Sequence, residues 1–413
     1  MKEIVIVGGG AAGFFGAITA AQASAAAGTP ARVTILEKGA QVLAKVRISG
    51  GGRCNVTHAC FEARALAARY PRGERALIGP FQRFQPRDTI EWFAQRGVIL
   101  KTEDDGRMFP ESDSSQTVID CLMNEAERAG VRLRTRCGVE RVEPRNNGGF
   151  ALYLSDGSTM ECDALLLATG GARSGGPREL AAMLGHTVAE PVPSLFTFNV
   201  ETPWLRELPG VSVEEVVVSV PGTKLRERGP LLVTHWGLSG PVILRLSAWG
   251  ARILHQLKYH FSIHIQWLPN LNREEILAAL QTQRQRQPGA TVNNTPLRPL
   301  PARLWEQLVR KAGISTETRW AVLPRAGQQR LADLLHRTEL PVTGKSTHKA
   351  EFVTCGGVRL GEVNFKTMES RLVPNLYFAG EVLDIDGITG GFNFQAAWTT
   401  AWIAGHAMAD ITR

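Results

Sequence analysis

The chain has no C-x-x-C pair, no apolar run long enough to span a bilayer, and no second glycine-rich dinucleotide motif after a strand. Its six cysteines, Cys54, Cys60, Cys121, Cys137, Cys162 and Cys355, are scattered. Neither structural zinc nor thioredoxin-type chemistry is therefore expected, and the expected metal content is none. Reduced thiols in a reducing compartment are the simplest reading. The opening Met1-Lys2-Glu3 leads directly into Ile4-Val5-Ile6-Val7, without a charged region, an apolar core and a cleavage site. These absences predict a cytoplasmic protein with no membrane segment.

What is present is enough for a large core. The 413 residues, 44% hydrophobic, predict two or three domains. The net charge of +8 favours an anionic partner such as nucleic acid. An apolar strand at 4–7 meets Gly8-Gly9-Gly10-Ala11-Ala12-Gly13, an alanine-rich helix runs to about Ala27, and a second strand runs from Arg32 to Leu36 before Glu37. This is a βαβ opening unit. Helical spacing marks 117–130, and alternation marks a β-meander over 131–166 with turns at Asn146-Asn147-Gly148-Gly149 and Asp156-Gly157. The run Ala164 to Ala168 reads as a buried strand ending at Thr169-Gly170-Gly171. Residues 191–269 read as β-rich, with strands at Val216–Val220 and Phe261–Ile265, and 273–330 read as helical. Strand signals return at Phe352-Val353-Thr354 and Leu376–Ala379, and a last helix is expected from about Gln395 to Met408.

The G-x-G-x-x-G of Gly8, Gly10 and Gly13, with Ala12 inside it, lets backbone approach a pyrophosphate at a helix N-terminus. Glu37 closes the next strand, where a carboxylate accepts from ribose hydroxyls and repels a 2′-phosphate. Two distant segments favour FAD over NAD. Ala168-Thr169-Gly170-Gly171 ends one buried strand, and Tyr377-Phe378-Ala379-Gly380-Glu381 ends another, which is where a two-dinucleotide-binding fold brings an acidic residue to the ribitol. Glu381 takes that role, with Asp384 beside it. Gly390-Gly391-Phe392-Asn393-Phe394-Gln395 opens the last helix, whose N-terminus suits negative charge at the flavin pyrimidine. Without a second dinucleotide motif, NAD(P)H would bind only transiently. Cys54 and Cys60 have five residues between them, one more than in redox-disulfide flavoenzymes, which argues against a catalytic disulfide.

Four stretches carry a family resemblance: Ile48-Ser49-Gly50-Gly51-Gly52-Arg53-Cys54-Asn55-Val56-Thr57, Gly106-Arg107-Met108-Phe109-Pro110, Thr234-His235-Trp236-Gly237-Leu238-Ser239-Gly240-Pro241, and Gly380-Glu381-Val382-Leu383-Asp384 through Gln395. On them the chain resembles the HI0933-like (BaiN/RdsA-like) NAD(P)/FAD-dependent oxidoreductases over nearly its whole length. The resemblance implies an α/β fold: a Rossmann-type, two-dinucleotide-binding FAD domain, an inserted β-barrel-like domain, and a small helical insert within that. Composition shifts divide the chain correspondingly, into 1–190 and 345–413 for FAD, 191–272 and 331–344 for the barrel, and 273–330 for the helical insert. Similar proteins have been linked to reduction of a uridine in 23S ribosomal RNA to dihydrouridine, to bile acid transformation and to amino-ketone oxidation. The resemblance thus implies the cofactor and leaves the substrate open. Cys355, Phe392 and Phe394 depart from the residues more usual in the family.

The expected FAD site comprises Gly8, Gly10, Ala12, Gly13, Glu37, Lys38, Gly51, Gly52, Arg53, Cys54, Asn55, Val139, Ala168, Thr169, Gly170, Gly171, Gly380, Glu381, Asp384, Gly391, Phe392, Asn393 and Gln395. Arg53 suits a phosphate or the negative charge of a reduced flavin, against a purely structural loop. Cys54 and Cys355 are candidate thiols, against buried small side chains. His235 is a candidate proton donor, against a histidine that holds its turn by a hydrogen bond. Arg107 is a candidate anion ligand, against an exposed arginine. Residues 273–330 carry ten Lys/Arg (Arg273, Arg284, Arg286, Arg298, Arg303, Arg310, Lys311, Arg319, Arg325, Arg330) and four acids (Glu274, Glu275, Glu306, Glu317), a net +6. That surplus points to ribosomal RNA or another polyanion, with Arg284, Arg286 and Arg310 expected at the contact. The leading substrate is an RNA uridine. The alternatives are a flavin-dependent oxidase or dehydrogenase of a small molecule, and an RNA-binding protein that retains FAD structurally.

Overall fold

The computed structural model describes residues 1–146, 148–171, 177–346 and 353–410, with the backbone alone at 177 and 178. Asn147 of the expected glycine turn and Phe352 of the expected strand lie outside the described residues. The chain forms two compact units, Met1–Pro193 with Ala350–Arg413, and Ser194–Lys349.

The first unit is organised by five parallel strands in the order Leu376–Phe378, Ala164–Leu167, Glu3–Val7, Arg32–Leu36 and Arg132–Arg134. An antiparallel hairpin, Val363–Asn364 with Glu369–Ser370, extends the first edge. Ile4, Val5, Ile6 and Leu165 to Leu167 are fully buried. Both faces of the sheet are covered, so its strands read as continuous apolar runs. The helix Ala11–Ala26 and the terminal helix Phe392–Ala409 pack on one another through small residues: a Cβ on Gly405 would come within 2.9 Å of Gly16 O. Both helices are buried nearly all round, which is why neither shows an amphipathic stripe. The terminal helix starts three residues earlier than its pattern indicates, because Gly391, at φ 90°, serves as N-cap.

The expected meander over 131–166 divides differently. Val139–Pro144, Phe150–Leu154 and Thr159–Cys162 form a separate antiparallel sheet. The flanking strands, Arg132–Arg134 and Ala164–Leu167, belong to the parallel sheet. Local alternation cannot distinguish these partners, since pairing is decided by residues far away in sequence.

In the second unit, seven antiparallel strands run in the order Thr338–Val342, Phe261–Gln266, Ser212–Ser219, Arg226–Thr234, Gly237–Ser239, Phe198–Asn199, Gly344–Lys345. The two outer strands are consecutive in the chain, joined only by Thr343. Two Cα steps span about 7 Å, so the sheet must curl until its edges nearly meet. Helices Pro241–Trp249 and Ala251–Gln256 interrupt the stretch expected to be β-rich, with Pro241 at the first helical position. Residues 273–330 contribute helices Arg273–Arg286 and Ala302–Lys311 and the start of Arg325–His336. Asn272 and Glu275 form a capping box on the first. Trp305 and Trp320 are fully buried, their indole N–H groups donating to Val292 O and Thr295 Oγ1. Among the described residues no helix is long and apolar enough to cross a membrane, and no three metal-ligating side chains cluster.

One ion pair ties the segment beyond Glu381 to the early part of the chain. Arg72 donates through Nε and Nη2 to both carboxylate oxygens of Asp386, whose side chain is fully buried. Arg72→Ala should destabilise the protein by about 3 kcal/mol, since it strips a buried carboxylate of a bidentate partner. Urea or thermal unfolding checks this, and an unchanged midpoint would show that the pair is dispensable.

Candidate functional site

The strands ending at Val7, Leu36, Leu167 and Phe378 run in parallel, so their carboxyl ends lie along one edge of the sheet, where ligands of open α/β sheets bind. The glycine turn is set by contact. A Cβ on Gly8 would meet Ala168 O at 2.4 Å, and one on Gly13 would meet Gly8 O at 1.9 Å. At Gly10 nothing lies within 4 Å. Two glycines therefore serve close packing, and the third leaves open space beside the start of a helix. No described side chain caps that helix and its first turn holds no acid, so its first N–H groups remain for an anion. Thr169 Oγ1 is buried next to Gly8 with no described partner, as fits a hydroxyl awaiting a ligand. These features fit a dinucleotide diphosphate.

Glu37 is positioned by backbone. Gly9 N–H donates to its Oε2 at 2.8 Å and Gly39 N–H to its Oε1 at 2.7 Å. Cys137 N–H donates to Glu37 O, which brings Val139 to this flank along with the exposed Lys38. On the other flank Gly171 N–H donates to Glu381 Oε2 at 3.2 Å, and Ala12 approaches Gly380, where an added Cβ would lie 3.0 Å from its methyl. Gly380 N–H donates to Thr400 Oγ1. Asp384 follows, partly exposed, its N–H donating to Val358 O. The structure also brings in Lys45, which ion-pairs with Glu381. No local pattern marks Lys45, because its partner lies 336 positions away.

The Arg53 loop and the last helix meet. Gly50, Gly51 and Gly52 take positive φ, as does Cys54 at 62°. The Asn55 amide donates to Thr57 O (2.9 Å) and Met108 O (3.2 Å) and accepts from Gly391 N–H (3.0 Å). Asn55 therefore pins the loop to the helix start. His58, which carries no signal in sequence, stacks on Phe392 at 4.6 Å, and its Nδ1 donates to Gly390 O at 3.0 Å. A carbonyl only accepts, so the proton sits on Nδ1. Burial holds this imidazole below the ordinary histidine range.

The structure places the remaining expected residues as follows. Gln395 is fully buried: its Oε1 accepts from Thr57 and Thr89, and its Nε2 donates to Thr399. Asn393 exchanges both hydrogen bonds with Gly387. These amides brace the helix start from inside and leave the backbone to face a ligand. Cys54 is fully buried and its thiol is pushed up to about 12 by burial, so it stays protonated and anchors the loop. Cys355 is likewise fully buried, within Val353–Cys355. Arg107 pairs with Glu103 at 2.9 Å and Asp105 at 2.7 Å, and Arg53 shares Glu103 at 2.6 Å. Both guanidinium groups stand over the Phe109 ring. His235 lies in the second unit, exposed between Arg226–Thr234 and Gly237–Ser239. Its ring makes no described hydrogen bond; Thr234 Oγ1 holds the turn instead, donating to Gly237 O and accepting from Trp236 N–H.

The model of the HI0933-like protein Rossmann domain matches residues 2–407. The chain belongs to this family. It is an FAD-dependent oxidoreductase of mixed α/β fold. It is 34% identical over 409 residues to the ribosomal RNA dihydrouridine synthase of Escherichia coli (strain K12), covering 97% of this chain and 96% of that protein. It is 30% identical over 418 residues to the 3-dehydro-bile acid delta(4,6)-reductase of Clostridium scindens, covering 99% and 100%. Among solved structures, the 3-ketosteroid-delta4-(5alpha)-dehydrogenase of Rhodococcus jostii RHA1 shares the fold with a TM-score of 0.51 at 14% identity, covering 99% and 97%.

Two measurements test the flavoprotein's site. Gly10→Val should leave the melting temperature of the flavin-free protein unchanged yet abolish flavin uptake, whereas Gly13→Ala should lower that temperature itself. Glu381→Ala should weaken FAD by roughly 1.5–3 kcal/mol, the worth of a charge-assisted hydrogen bond. Flavin-to-protein absorbance ratios after reconstitution read both, and wild-type occupancy in Gly10→Val and Glu381→Ala would remove the site. In a second test, Cys54 should resist alkylation in the folded protein at neutral pH and react only on unfolding. Rapid labelling of the native thiol, located by peptide mass, would restore it as a candidate nucleophile.

Proposed function

We propose that this flavoprotein reduces a uridine of 23S ribosomal RNA to dihydrouridine. The observation that carries this reading is 34% identity along 97% of the chain to a protein that bears that activity in its name. The +6 surplus of residues 273–330, most of the chain's +8, supports it, because a polyanionic substrate must be attracted and held. We assign FAD to the strand-end site: the Gly8–Gly13 turn and helix start hold the diphosphate, Glu37 the adenosine ribose, and Glu381 the ribitol. FAD supplies two-electron reduction when bound. The remaining task of the chain is to deliver a proton to the reduced carbon skeleton. We assign it to His235, which is exposed and whose ring makes no described hydrogen bond of the kind that would clamp its turn. NAD(P)H acts as a transient electron donor and the cytoplasm is the working compartment. We take 273–330 as a small insert serving RNA.

A second reading follows from the 30% identity along the whole of a bile acid reductase: reduction of a small conjugated ketone by the same cofactor site. Mapping dihydrouridine in ribosomal RNA from cells lacking the gene separates the two. One uridine should lose its modification and regain it when the gene is restored, while a His235→Ala copy restores little. An unchanged modification map, together with flavin reoxidation by an added enone steroid, would decide for the small-molecule reading.

A further inference from the structure

The positive charge of the second unit is not spread evenly. Stretches 284–305 and 318–332 contain no Asp or Glu and hold Arg284, Arg286, Arg298, Arg303, Arg319, Arg325 and Arg330. Backbone hydrogen bonds lay parts of them side by side: Val292 N–H to Thr318 O, Trp320 N–H to Ala290 O, and Ala321 N–H to Pro288 O. Some of these arginines are engaged within the protein. Arg284 donates to Leu323 O and Ala321 O, Arg303 to Glu207 O, and Arg330 to Ala312 O. Arg310 stands 4.0 Å from Glu207. Arg284 is thus a brace, which removes it from the contact expected of it.

Arg286, Arg298, Arg319 and Arg325 are left, and three of them, Arg286, Arg319 and Arg325, flank the segments that those backbone bonds bring together. All three are exposed, and no described hydrogen bond or ion pair engages their side chains. They surround the Trp320–Val322 turn, where Val322 is 70% exposed. Arg325 opens the helix Arg325–His336, whose first turn has no acid and no side-chain cap, so the helix dipole adds to the same potential. The carboxylates nearest that turn along the chain are Glu317 and Asp333, and Asp333 is paired with Arg273.

We propose that this ridge of Arg286, Arg319 and Arg325 is a docking surface for the phosphate backbone of an RNA substrate. The proposal rests on the RNA reading above and names the face that serves it. Such contacts carry affinity without sequence preference and weaken with salt. The test titrates the FAD-loaded full chain with a 23S ribosomal RNA transcript at several salt concentrations. Arg286→Glu/Arg319→Glu/Arg325→Glu should bind at least tenfold more weakly, with a log–log salt slope shallower by about 2. A control of equal charge change on exposed arginines of the first unit, Arg64→Glu/Arg75→Glu/Arg132→Glu, should stay within threefold of wild type. Both should keep their flavin, and the corresponding Gln triple gives the same direction should charge reversal impair folding. Wild-type affinity in the ridge variants, or equal loss in the control, overturns the ridge and leaves the RNA reading standing. A wild-type protein that shows no salt-sensitive RNA binding, or that prefers anionic lipid vesicles, overturns that reading as well.

Discussion

Backbone meets backbone at the carboxyl ends of the parallel strands, and the rest of the first unit depends on that approach. Gly8 lies against Ala168, Gly13 against Gly8, and Gly391 against Thr57, at distances that leave no room for a Cβ. The first and the last of these contacts join segments far apart in sequence. The terminal helix can pack along the first helix only because Gly16 and Gly405 allow it, and that packing brings Gly380 and Glu381 beside the turn that follows the first strand. A site assembled in this way is preorganised: its N–H donors and carboxylates are held by the core before any ligand arrives.

The polar groups divide into those that hold the site and those that face outward. Gln395, Asn393 and Asn55 all belong to motifs that invite assignment to a ligand, yet their amides are engaged in binding helix, loop and strand to one another. Glu37 and Glu381 are different. Backbone amides orient their carboxylates while both remain partly exposed at the strand ends. An acceptor that is oriented but not enclosed can still exchange a protein partner for a ligand hydroxyl at little cost. Cys54 stands at the opposite extreme, since burial without a cation keeps its sulfur neutral.

The same division applies in the second unit. Half of the insert's ten basic residues are engaged with carbonyls or carboxylates of their own unit, so formal charge overstates what is available to a partner. Family membership fixes the cofactor but not the substrate. Relatives of 34% and 30% identity, each aligned over nearly the full chain, carry names for an RNA and for a bile acid reaction. A flavin reduces many conjugated carbon–carbon bonds, and the surfaces around it select among them.

The sequence by itself determined the βαβ opening, the glycine turn with Glu37 at the next strand end, the buried strands at 164–167 and 376–378, the basic segment, and the family. These signals are local: a period, a glycine at a positive-φ or close-contact position, or a short motif. Tertiary structure decided which of those strands pair, that Arg132–Arg134 leaves the meander for the main sheet, and that Lys45 and His58 reach the site. It also decided which amides, thiols and arginines are enclosed or engaged. The physical reason is that burial and hydrogen bonding are relations between distant residues. Thr57 and Gln395, or Arg72 and Asp386, lie more than 300 positions apart, and nothing in the neighbourhood of either partner announces the other.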